Sequence, residues 1–118
     1  MRGSVKIGQV PYPPITEDEF NELVLNSRLP IGIFLTADRG YITDAAYREF
    51  LPVAAEFQAL IAFFEADVVA DPALADRLGL KAVPALLVFV SGIEVAALLG
   101  FHHRYELRNR LWSIIFDR

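Results

Sequence analysis

Lys81-Ala82-Val83-Pro84-Ala85-Leu86-Leu87-Val88-Phe89-Val90, running into Ser91-Gly92, is the stretch on which the fold turns. From Ala85 to Val90 no polar residue interrupts it, and its β-branched and aromatic content predicts a strand buried on both faces. Pro84 stands at the entrance, where a missing N–H is tolerated, rather than in the middle of the ladder. An X–Pro bond disfavours cis by only about 0.5–1 kcal/mol, so the sequence leaves the Val83–Pro84 isomer open.

Working outward, Ser91-Gly92 predicts a tight turn, and Ile93–Leu99 an antiparallel partner strand that Gly100 ends. A final helix is expected from about Arg104 to Phe116, with Leu107, Leu111, Ile114 and Ile115 on one face and Trp112 beside them. Upstream, Asp71-Pro72 reads as a capping carboxylate with proline at the first helical position, opening a short helix Pro72–Leu78 that Gly79 closes. Ala59–Phe64 with Asp67-Val68-Val69 predicts another strand region. Before it, Tyr47, Phe50, Leu51, Ala54 and Phe57 follow helical spacing in a helix capped by Thr43 or Asp44, with Pro52 inside the pattern. Pro30–Leu35 is a short central strand candidate leading into the polar loop Thr36–Ile42. Thr16-Glu17-Asp18-Glu19 matches a capping box, with Ile15 and Phe20 as its hydrophobic staple.

The expected order is therefore strand or arm, then α–β–α–β–α–β–β–α. This is an α/β domain over residues 16–118, with a central mixed sheet, helices on both faces, a C-terminal antiparallel hairpin and a terminal helix. Residues 1–15 precede it as an N-terminal arm or edge strand.

Composition narrows the function. Of 118 residues 54% are hydrophobic, enough for a core, and the net charge of −4 argues against a general nucleic-acid binder. The longest apolar runs, Ala59–Phe64 and Ala82–Val90, fall far short of the roughly 18 residues of a membrane span, so no membrane insertion is expected. The first residues lack the charged-then-apolar pattern of a secretory signal, and a cytoplasmic protein is expected. There is no cysteine, which removes disulfides, thiolate metal sites and thiol redox chemistry together. No phosphate-binding glycine pattern or Ser/His/Asp arrangement is visible, so neither a cofactor nor an enzymatic activity is expected.

Over residues 16–118 the chain resembles the thioredoxin family. The resemblance rests on the capped helix at Thr16, the strand Ile31–Leu35, the helix carrying Pro52, and Asp71-Pro72 before Leu78-Gly79-Leu80. Val83-Pro84 and the Ser91-Gly92 turn complete it. It implies a thioredoxin-like fold in which Pro84 is cis. Where thioredoxins carry Trp-Cys-x-x-Cys, this chain has Asp38-Arg39-Gly40-Tyr41-Ile42-Thr43-Asp44-Ala45-Ala46-Tyr47, so no thiolate is present to exchange a disulfide. A narrower resemblance is to hydrogenase-expression accessory proteins of the HyaE/HupG type, carried by the polar loop, Val83-Pro84-Ala85, Gly100-Phe101-His102 and Tyr105-Glu106-Leu107. It implies a chaperone in nickel–iron hydrogenase maturation that binds the small subunit's twin-arginine signal peptide.

Each candidate site residue has a plainer alternative. Val83 and Pro84 border the surface on which thioredoxins lay an extended peptide, or they only shape the loop. Asp38, Arg39 and Tyr41 offer a carboxylate, a guanidinium and a phenol to a client peptide, or form a solvated loop in which Asp38 and Arg39 satisfy each other. His102 reads as a partner contact or helix cap near Pro84, or as plain loop structure. Adjacent His102 and His103 project apart and lack further ligands, so no metal site is expected. Glu17, Asp18, Glu19 and Glu22 either attract a basic peptide or form a solvated helix start. The expected partner is a protein or peptide client. The alternative is an assembly module that uses its apolar surface for homodimerisation or docking.

Overall fold

Every residue of β1 (Ile31–Thr36) is buried, and β3 (Ala85–Val90) is buried but for its last residue. Strands buried on both faces belong at a sheet centre, and these two lie side by side there. The computed structural model describes residues 12–37, 41–79 and 82–117. The sheet order is β2-β1-β3-β4, with β2 spanning Ala62–Asp67 and β4 Ile93–Leu99. β1 runs parallel to β2 and antiparallel to β3, and β3 runs antiparallel to β4, so the sheet is mixed as expected.

The period of two along each strand sorts the core into two layers. Phe34, Phe63, Leu86, Val88, Ala96 and Leu98 meet α2 (Tyr41–Phe57) through Tyr47, Phe50 and Phe57, and α4 (Arg104–Phe116) through Leu107 and Leu111. On the opposite face Ile31, Ile33, Leu35, Leu87 and Phe89 meet α1 (Glu17–Phe20) and α3 (Pro72–Leu78) through Phe20, Leu74 and Leu78. Burial of each such side chain contributes roughly 1.5–3 kcal/mol. Helices therefore cover both faces.

Local signals explain most element ends. Glu19 reaches back to the Thr16 N–H at 3.1 Å, and the staple residues Ile15 and Phe20 are both buried in one cluster. The chain then widens into a π-helical turn, Asn21–Leu25. Asp71 caps α3 by accepting from the Leu74 N–H at 3.1 Å, and Gly79 closes it in the left-handed region at φ 81°. Ser91 and Gly92 both take positive φ, 53° and 80°, as a two-residue hairpin turn twisted like its strands demands. Pro52 sits exposed within an uninterrupted α2, which turns its lost hydrogen bond toward solvent.

Two boundaries differ from expectation. β2 begins at Ala62 rather than Ala59, because the Leu60 and Ile61 N–H groups both donate to the Phe57 carbonyl and prolong the end of α2. α2 begins at Tyr41, so Thr43 and Asp44 lie inside its first turn, where Asp44 still complements the positive helix end. Tyr41 thus belongs to the helix and not to the loop. Of the N-terminal arm, residues 1–11 lie outside the described residues. Residues 13–15 run along β2, where Glu65 donates to the Pro13 carbonyl at 3.0 Å and Ile15 donates to Glu65 at 2.9 Å. Among the described residues no helix is long and apolar enough to cross a membrane.

Candidate functional site

The loop before β3 and the end of β4 meet at one corner of the sheet. The Val83–Pro84 peptide bond is cis. Pro84 is buried, Val83 is half-buried against the α1–α3 layer, and Ala82 is exposed. Both ladders of β3 end at Ala85, which pairs with Leu35 on one side and Leu99 on the other. Pro84 still accepts one bond beyond the ladder, from the Gly100 N–H at 2.7 Å. Gly100 adopts φ 80°, which turns the chain away from β4 immediately after that bond. Val83 stands outside both ladders, at the rim.

His102 lies over the same corner. Its Nε2 is 2.9 Å from the Leu99 carbonyl oxygen. A carbonyl only accepts, so Nε2 carries the hydrogen of this bond. The other ring nitrogen, Nδ1, is 3.7 Å from Glu106 Oε1. His102 also lines a residual cavity of about 10 Å³ with Phe34, Phe50, Ala85, Leu98 and Leu107, room for one water at most. The inside of the corner thus has no room for a small molecule, while its outer side, at Leu99, His102 and Glu106, opens onto a groove of about 640 Å³.

The next residue, His103, is the N-cap of α4, and its N–H donates to Glu106 Oε1 at 3.0 Å. Glu49 of α2 serves the same helix end. Its Oε1 accepts from the Arg104 backbone N–H at 2.9 Å and from Arg104 Nε at 3.1 Å. The side-chain hydrogen bond from Arg104, then the backbone one, holds the Glu49 carboxyl below its ordinary range, and the same pairing raises Arg104. This tie between helices fixes where the His102–Glu106 segment sits.

Of the sequence-predicted site residues, the structure brings Val83, Pro84 and His102 to this one corner. Asp38 and Arg39 lie outside the described residues, and Tyr41 opens α2. The acidic α1 start is partly consumed by its neighbours: Glu17 pairs with Arg77 at 3.2 Å, and Arg77 also reaches Asn21 and lies 4.6 Å from the Phe20 ring centroid. Gly100 and Glu106 were not singled out as site residues. Their only signals in the sequence are the motifs Gly100-Phe101-His102 and Tyr105-Glu106-Leu107. Among the described residues no group of three or more His, Asp or Glu side chains gathers as a metal site would require.

No protein-family model matches the chain, and no curated protein matches it in sequence.

Proposed function

We propose that the chain is a thioredoxin-like protein that has given up redox chemistry and uses the Val83–Pro84 corner to hold an extended client. The observation that carries this reading is the ladder that stops at Ala85, with the Pro84 carbonyl already taken by the Gly100 N–H and Val83 beyond both ladders. Val83 is left at the rim, where an arriving strand-like peptide can add backbone hydrogen bonds and set side chains to either side. With no cysteine in the chain, a client held there meets no thiolate.

The client that best suits the motifs is a twin-arginine signal peptide of a nickel–iron hydrogenase small subunit, held in the cytoplasm without catalysis. Arginine recognition asks for carboxylates, and Glu106 supplies one beside His102 with its side chain 59% exposed. Asp38 is the second carboxylate that the sequence offers. Calorimetric titration of the full chain with such a peptide should give micromolar or tighter binding. Asp38→Ala, or Arg→Lys changes in the peptide, should weaken it by roughly tenfold, which is about 1.4 kcal/mol. Absence of heat and of any competing signal at several hundred micromolar protein would rule the client out.

A further inference from the structure

The two edges of the sheet are treated differently. The outer edge of β2 is taken by residues 13–15 of the same chain. No described segment covers the outer edge of β4. Because the Gly100 N–H points inward to Pro84, the antiparallel alternation turns Leu98 and Ala96 inward and Leu99 and Ala97 outward. The Leu99 carbonyl is met by His102, so the N–H and C=O of Ala97 and the N–H of Leu99 stand free for pairing among the described residues. Natural edge strands that stay solvated are usually blunted by lysine, proline or an inward charge. The stretch Ala96-Ala97-Leu98-Leu99 has none of these, and the strand's blunting devices, the bulge at Val95 and the charge of Glu94, lie before it.

Beside this edge runs a groove of about 640 Å³, walled by Glu106, Asn109, Arg110 and Ser113, a single stripe of α4. Glu106 and Arg110 carry opposite charges along that wall. Glu106 is 59% exposed, and Arg110 meets no carboxylate among the described residues. The β4 side chains Val95 and Leu99 are 43% and 46% exposed, a large fraction for apolar groups flanking a free edge.

We propose that this edge pairs with the same edge of a second copy, antiparallel about a two-fold axis through Ala97, making one continuous sheet across the dimer. A two-fold contact must be complementary to itself, and this edge meets that condition in three ways. The Ala97 N–H and C=O satisfy those of the second copy reciprocally, with only methyl groups at the point of closest approach. Leu99 comes beside Val95, the bulge residue just past the regular edge, so two exposed apolar groups cover each other twice. The two α4 helices run antiparallel across the axis, which brings Glu106 of each copy toward Arg110 of the other. The register passes from Val88–Ala96 to Phe89–Glu94 and leaves Val95 as the extra residue of a β4 bulge, so the regular edge ends at Ala96 on one side and at the His102 contact with Leu99 on the other. This contact does not involve Val83 or Pro84, but it uses the Glu106 carboxylate that the proposed client would also engage, so the two compete at that residue.

Sedimentation velocity of the full chain, from low micromolar to several hundred micromolar, tests it. The wild type should show a concentration-dependent dimer. Ala97→Pro removes an outward N–H without touching the β3–β4 ladder and should leave a folded monomer. Arg110→Glu and Glu106→Arg, each alone, set like charges against each other and should associate at least roughly tenfold more weakly. An equimolar mixture of those two variants restores both opposite-charge pairs and should recover the wild-type association. A wild type that stays monomeric throughout overturns the proposal, including the case in which Ala97→Pro only weakens a bound peptide. So does a dimer indifferent to Ala97→Pro and Arg110→Glu, or a mixture that associates no better than its components.

Discussion

Gly32 has no room for a side chain. A Cβ built there would stand 2.6 Å from two carbons of the Phe63 ring, the residue paired with it across β1 and β2. That ring is itself held by Tyr12 and Phe50 at centroid distances of 5.7 and 5.5 Å, so it cannot easily withdraw. Gly32→Ala should destabilise the fold by ~1–3 kcal/mol, the usual cost of overpacking. Urea denaturation reads this directly, and an unchanged midpoint would contradict the packing described. Gly100 differs: no heavy atom lies within 4 Å of its Cβ position, and only its φ of 80° opposes a side chain. In the sequence Gly32 is merely a glycine within a strand, and Gly100 one that ends a strand. The need for space at Gly32 depends on the register of a strand thirty positions away, and the positive φ at Gly100 on a hydrogen bond to Pro84. Neither is a local property.

At the scale of elements, the ends of helices carry the consequences. Asp71 was legible as a cap from Asp71-Pro72, and its Oδ1 does cap α3. Its Oδ2 also accepts from the Glu17 N–H at 3.0 Å, tying α1 to α3. That second role joins residues far apart in sequence, and nothing near Asp71 announces it. Asp71→Ala should therefore cost ~1–2 kcal/mol, toward the upper end for a lost cap, measured as a fall in the denaturation midpoint. A loss within a few tenths of a kcal/mol would mean that the Glu17 bond contributes nothing. Glu49 makes the corresponding tie at α4. Because its folded-state pKa is lowered, its contribution is fully present above the ordinary glutamate range and is lost as pH falls through the lowered value. Glu49→Gln should lower Tm at neutral pH, and the gap to wild type should close in acid. A gap independent of pH would deny the charged role. The apolar run at Ala59 misleads as a strand for the same nonlocal reason: its first residues are drawn back to the Phe57 carbonyl by the helix they follow.

At the scale of the whole molecule, the alternation of helix-period and strand-period segments fixed a mixed α/β sheet with helices on both faces. The terminal hairpin and final helix appear where Ser91-Gly92 and Leu107–Leu111 put them. A site is harder to read, since it is an arrangement of distant pieces. Val83, Pro84 and His102 were legible as separate motifs. That β4 would end against Pro84 and lay His102 over the same corner required the closed sheet. The free β4 edge was invisible in sequence, because Ile93–Leu99 reads as an ordinary hairpin strand until the order of strands shows it at the margin.

The claim that this corner holds an extended client is best met by following backbone amide signals of the isotope-labelled chain while a twin-arginine peptide is added. The expected result is saturable shifts concentrated at Val83, Ala85, Gly100 and His102, with Trp112 on the far side of α4 unmoved. Shifts absent from those four positions at saturating peptide, or centred on α4 instead, would contradict it.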